Sequence, residues 1–148
     1  MKRFCRIACI VCAVMLAFSC TKSVPQICGG VDFKESHLYV NAGDGMSRFV
    51  TWTGDEFFSS DYVLDVIFEN INELNPGQKT TAVSACFQDP RVNGYAAFTS
   101  EYTGSISLVK RSGKKADIVF RKVVMNIRNT DYLFDGIIPC SIENPISH

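Results

Sequence analysis

The chain is 148 residues long, is formally neutral at pH 7 and is 47% hydrophobic. That is enough to bury one real core and too little for two comfortable domains. Once residues 1–19 are set aside, 12 basic residues face 15 acidic ones. A mildly acidic surface of this kind gives no electrostatic basis for binding nucleic acid or anionic headgroups.

At the start, Lys2, Arg3 and Arg6 precede an unbroken apolar run from Ile7 to Phe18, followed by Ser19-Cys20. This is the layout of a secretory signal, and its apolar core is short for a membrane span. Leu16-Ala17-Phe18-Ser19-Cys20 resembles a bacterial lipobox, although Phe18 is bulkier than the residue usual at its position. The resemblance covers residues 1–20. It implies that Cys20 is diacylated and becomes the mature N-terminus, so that 1–19 is a cleaved signal peptide. Two or three acyl chains anchor stably, because each buried methylene contributes about 0.8 kcal/mol. Residues 20–30 then read as the lipidated cysteine and a tether, since Thr21-Lys22-Ser23-Val24-Pro25-Gln26 is polar, aperiodic and broken by proline. No acidic sorting residue follows Cys20. By the sorting habits of lipoproteins this implies an outer-membrane anchor, facing the periplasm rather than the cell exterior.

Residues 31–148 form the expected folded domain, and its dominant period is two. Leu38 and Val40 mark a short strand, Asn41 to Gly45 supplies turn chemistry, and Arg48 to Thr53 forms a second strand. The stretch 61–74 has two readings. Val63, Ile67, Ile71 and Leu74 fit a helix face, but Asp61, Asp65, Glu69 and Glu73 would stack acids four apart, which disfavours a helix. A strand with Tyr62, Leu64, Val66 and Phe68 inward and the acids on a solvated outer face is the better expectation. Asn75-Pro76-Gly77 turns into Thr80–Phe87, where Val83, Ala85 and Phe87 form the expected buried row.

Ile106 and Leu108, then Lys110 to Lys115 with Ser112-Gly113, then Ile118 and Phe120 read as a β-hairpin. The apolar parity then shifts to Val123, Met125 and Ile127, which predicts a bulge near Arg121-Lys122. Tyr132, Phe134, Ile138, Cys140 and Ile142 make a last half-buried strand. The sum is all-β: one antiparallel sandwich, immunoglobulin-like or similar, or a small barrel, with 61–74 as the one alternative helix. In general plan the layout resembles the small β-sandwich lipoproteins of Bacteroidota.

Of seven cysteines, Cys5, Cys9 and Cys12 leave with the signal and Cys20 carries lipid, so Cys28, Cys86 and Cys140 remain. One bridge and one thiol is the simplest arrangement in an oxidising compartment. A Cys86–Cys140 bridge would contribute about 4 kcal/mol on the chain-entropy model. Strand parity, however, turns Cys86 outward and Cys140 inward, so either an irregularity intervenes or Cys28 takes one partner. Three small buried thiols are the alternative.

Catalytic signatures are sparse, and no enzyme activity, cofactor or metal is expected. His37 and His148 are the only histidines, and a surface or satisfied role suits His37 better than a triad. Asp44-Gly45 lacks the oxygen series of a calcium loop. The candidates for ligand contact are aromatic (Trp52, with Tyr95 or Tyr102) and basic (Lys110, Arg111, Lys114 and Lys115). Core burial of Trp52 and a solubilising role for the lysines are the plainer readings. The expected function is that of a lipid-anchored, non-catalytic binding or accessory module working through contacts with an envelope protein. Binding of a glycan or small ligand, or inhibition of an exported enzyme, is the alternative.

Overall fold

The computed structural model describes residues 31–41, 45–89 and 101–143. Among these residues seven strands follow one another: β1 (Glu35–Asn41), β2 (Met46–Trp52), β3 (Val63–Glu69), β4 (Lys79–Gln88), β5 (Thr103–Lys110), β6 (Lys115–Ile127) and β7 (Thr130–Glu143). Each is antiparallel to the next, and β7 returns to β1 to close a barrel. An odd number of alternating strands leaves the first and last pointing the same way. The closing pair is accordingly parallel, and it is short: Leu38 faces Ile142 and Tyr39 faces Glu143.

The all-β expectation holds in its barrel form and is corrected in its sandwich form. Apart from the closing β1–β7 pair, all neighbours are consecutive in sequence, whereas an immunoglobulin-like sandwich needs Greek-key connections. Closure comes from two strands that each serve two sheets. Lys79–Thr81 of β4 pair with β5, while Ala82–Gln88 face β3. Likewise β7 pairs with β6 as far as Ser141 and then passes to β1.

Both bends have local causes. In β6 the register slips between Phe120 and Val123, where Arg121 and Lys122 oppose Asp135 alone and Lys122 adopts φ 48°. This is the bulge that the parity shift predicts, and it keeps Ile118, Phe120, Val123 and Met125 all buried. Gly104 makes room for it. With φ +78°, a Cβ there would sit 2.4 Å from the carbonyl oxygens of Arg121 and Lys122. A second bulge in β4 corrects the expected row: Ile67 faces Ser84 and Phe68 faces Ala82, leaving Val83 as the extra residue, exposed instead of buried.

The barrel interior is mainly apolar, with Ser47 and Thr51 among its few polar members. Phe49, Phe68, Phe87, Phe120 and Phe134 are fully buried with Leu64, Val66, Ile106, Leu108 and Ile118. Phe134 packs edge-on to Phe87 at 5.2 Å, and Tyr132 donates to the buried Asp89 at 2.6 Å. Arg121, Lys122 and Asp135 face out. That polarity is the reverse of a barrel crossing a membrane, whose apolar band faces outward. Among the described residues, no helix is long and apolar enough to cross one either.

Over 61–74 the strand reading holds and the helix is confined to a single 3₁₀ turn, Ile71–Glu73. One part of that reading needs correction. Asp61, Glu69 and Glu73 are exposed, but Asp65 is buried at 4% exposure.

Candidate functional site

The outer wall formed by β1, β2 and β3 carries the densest polar and aromatic chemistry among the described residues. Inward positions on β2 are Ser47, Phe49 and Thr51, so the period of two turns Arg48, Val50 and Trp52 outward. Outward residues should be wet, yet Val50, Trp52 and Val63 are nearly buried and form an apolar cluster separate from the core. The lid is local. His37 stacks on Trp52 with ring centroids 4.9 Å apart, Tyr39 stacks behind His37 at 5.9 Å, and Phe57 meets Trp52 edge-on at 5.6 Å. The expectation of a buried Trp52 therefore holds in burial and is corrected in place, since the indole packs outside the barrel. Its Nε1 is buried and lacks a hydrogen-bond partner among the described residues.

Phe57 belongs to a one-turn 3₁₀ helix, Phe57–Ser59, in the β2–β3 connection. Ser60 braces that connection: its Oγ accepts from the Gly54 N–H at 2.9 Å and donates to the Glu56 carbonyl at 2.6 Å. The approach is tight enough that a Cβ on Gly54 would lie 2.6 Å from Ser60 Oγ. Beyond Phe57, and edge-on to it at 5.1 Å, Phe58 projects with 97% of its surface exposed.

His37 also links the strands that close the barrel. Its Nδ1 lies 2.7 Å from Glu143 Oε1 on β7, and its Nε2 lies 3.5 Å from Glu35. No serine or cysteine side chain bonds to this ring among the described residues. Its contacts are those of a seam that positions Trp52. Lower on the same wall, Arg48 Nε lies 2.9 Å from each oxygen of Asp65, and its Nη2 also pairs with that carboxylate. Desolvation raises the Asp65 carboxyl above its ordinary range, and the Arg48 hydrogen bonds only partly oppose this. Beside them, burial and then Asp65 push the Cys86 thiol up to about 11.

The remaining candidates are dispersed. Tyr102 is half-buried and packs against the barrel core, whereas Trp52 belongs to the separate outer cluster; burial raises the Tyr102 hydroxyl pKa. Lys110, Arg111, Lys114 and Lys115 form the expected β5–β6 hairpin, with Gly113 at φ 65°. They lie at the opposite end of the barrel from Trp52, because β5 ends where β2 begins. Arg111 is tied to Asp117 at 2.7 Å, and Lys110 is half-buried while its N–H donates to the Gln78 carbonyl at 3.0 Å. Lys114 and Lys115 are exposed.

Cys86 faces out from β4 and Cys140 turns inward on β7, where its Sγ lies 3.5 Å from the Ala116 carbonyl oxygen. The two are not joined. Burial, then Asp117, pushes the Cys140 thiol up to about 12. Cys20, Cys28, Asp44, Tyr95 and His148 lie outside the described residues, as do the signal and the tether. No group of three or more His, Cys, Asp or Glu side chains is placed to hold a metal among the described residues.

The sequence shows Phe58 only as one of the aromatics near Trp52, and it does not single out the Arg48–Asp65 pair. The Phe57-Phe58 doublet inside the polar run Asp55–Ser60 was a usable signal for the first. The second depends on strand register. No family model matches the chain, and neither a curated protein nor a solved structure matches it.

Proposed function

We propose that this chain is a lipid-anchored lipoprotein of the bacterial cell envelope. It sits on the periplasmic side of the outer membrane and acts as a non-catalytic accessory module through contacts with an envelope protein. The observation that carries the anchoring is the Leu16–Cys20 lipobox ahead of a short polar tether. Cys20→Ala should abolish palmitate incorporation and leave a larger precursor; normal processing of that variant would contradict it.

Binding by protein contact rests on the outer wall. A sugar platform needs an open aromatic face, but Trp52 is covered by His37 and Phe57. What the wall offers instead is a braced, fully exposed Phe58 beside a buried aromatic anchor, a form common at protein contacts. Capture from envelope extract with the lipid-free domain, Thr21 to His148, tests this. One stoichiometric protein, lost with Phe58→Ser, supports an accessory subunit or enzyme inhibitor. A blank favours a glycan or small ligand, with Trp52 the first residue to replace.

A further inference from the structure

We propose that the outer face of β6 and β7 is a two-fold interface on which a second copy of this chain packs, sheet against sheet. The face lies across the barrel from β2 and β3, so the Phe58 tip stays free for its own partner.

The strands put apolar side chains on this wall where water would favour polar ones. With Phe120, Val123, Phe134 and Ile138 inward, the period of two turns Val119 and Val124 of β6 and Leu133 and Ile137 of β7 outward. Leu133 keeps 53% and Ile137 47% of its surface exposed. Register sets Val119 beside Ile137 and Val124 beside Leu133. Between these two apolar rows lies the bulge, with the exposed Arg121 and Lys122 opposite the exposed Asp135. Asp135 accepts the Lys122 N–H at 3.2 Å, and among the described residues no ion pair takes up the side chain of Arg121 or Lys122.

Along the strands the face is therefore apolar, then charged, then apolar, with the cations on β6 and the anion on β7. A two-fold axis parallel to the strands and midway between them exchanges β6 with β7 and leaves every row at its own level. Val119 then meets Ile137 of the second copy, Val124 meets Leu133, and Arg121 and Lys122 meet Asp135, each contact occurring twice. The other two-fold in the plane of the face, across the strands, sets Arg121 and Lys122 on their own counterparts and Asp135 on Asp135. Repulsion between like charges selects the first axis. Aligned sheets cross at about 30°, and the apolar rows lie two residues, or about 7 Å, from the bulge row. The crossing displaces them by only about 3.5 Å, which leaves each apolar row over its partner.

The test uses the full chain taken from bacterial envelopes in excess detergent, with two differently tagged forms co-expressed and one captured through its tag. Parent chains should bring each other down. Asp135→Lys in both forms leaves only cations on the bulge row, and Arg121→Asp with Lys122→Asp in both leaves only acids; each should cut co-capture at least about tenfold. One form of each kind should restore it, because every charge again meets its opposite. A parent that brings down no second copy overturns the proposal, as do uniform charge variants that keep parent levels or a mixed pair that fails to recover. Leu133→Ser with Ile137→Ser, both exposed in the single chain, should also lose co-capture while Trp52 emission stays unchanged. Parent-level co-capture in that variant would equally contradict the interface.

Discussion

Replacing Arg48 with alanine should destabilise the barrel in a way that acid relieves. Asp65 is 4% exposed and receives Arg48 through both carboxylate oxygens. Unit charges about 4 Å apart interact by roughly 4 kcal/mol at an effective dielectric near 20. Half of the Arg48 side chain is in water, so screening trims the loss to roughly 2–3 kcal/mol at pH 7. In a domain of this size that lowers Tm by about 10 °C.

The pH dependence is the sharper signature. The folded pKa of Asp65 is raised, chiefly by desolvation. A raised carboxyl contributes stability that is fully present below its unfolded pKa and is lost as pH rises through the folded value. Without Arg48 the folded value climbs further, so the gap between variant and parent should widen toward neutrality. It should narrow as pH falls toward about 4, the ordinary carboxyl range. Urea unfolding of the lipid-free domain at several pH values, with Arg48→Ala, Asp65→Asn and the double variant, reads both quantities. A gap independent of pH, or one below about 0.5 kcal/mol, would refute the buried-charge argument.

Gly104→Ala, which meets two carbonyl oxygens at 2.4 Å in a positive-φ position, should cost about 3 kcal/mol through strain and a displaced bulge; a neutral result would show the bulge to be misplaced. Phe134→Ala, fully buried against Phe87 and Phe120, should cost about 4 kcal/mol in the same assay. His37→Ala uncovers one face of the sole tryptophan, so emission should move to the red and acrylamide quenching should rise; an unchanged spectrum would mean the stack is absent. Cys140, its thiol pushed up to about 12, should resist alkylation at pH 8 until urea is added, as peptide mapping would show.

Much of the barrel wall was legible because each strand obeys a period of two over a distance shorter than itself. The β6 bulge was readable because its neighbours, Phe120 and Val123, are large enough to mark the parity change. The β4 bulge escaped because Val83 sits among Ser84 and Ala82, whose small side chains conceal the slip. Closure was not readable either, since it depends on one strand pairing made by two residue pairs distant in sequence, Leu38 with Ile142 and Tyr39 with Glu143. The Arg48–Asp65 pair is diagonal across a register in which Asp65 faces Val50 and Cys86. Local spacing predicts a solvated acid there, and only the fold brings the guanidinium over it. In the same way Trp52 shows burial in its type but not that His37, fifteen residues earlier, supplies its cover.

The anchoring claim is tested most directly by the intact mass and N-terminal peptide of the protein taken from envelopes. The account requires a mature chain of 129 residues beginning at Cys20 and carrying acyl groups on that residue. A chain that begins elsewhere, or one that begins at Cys20 with an unmodified thiol, would contradict it.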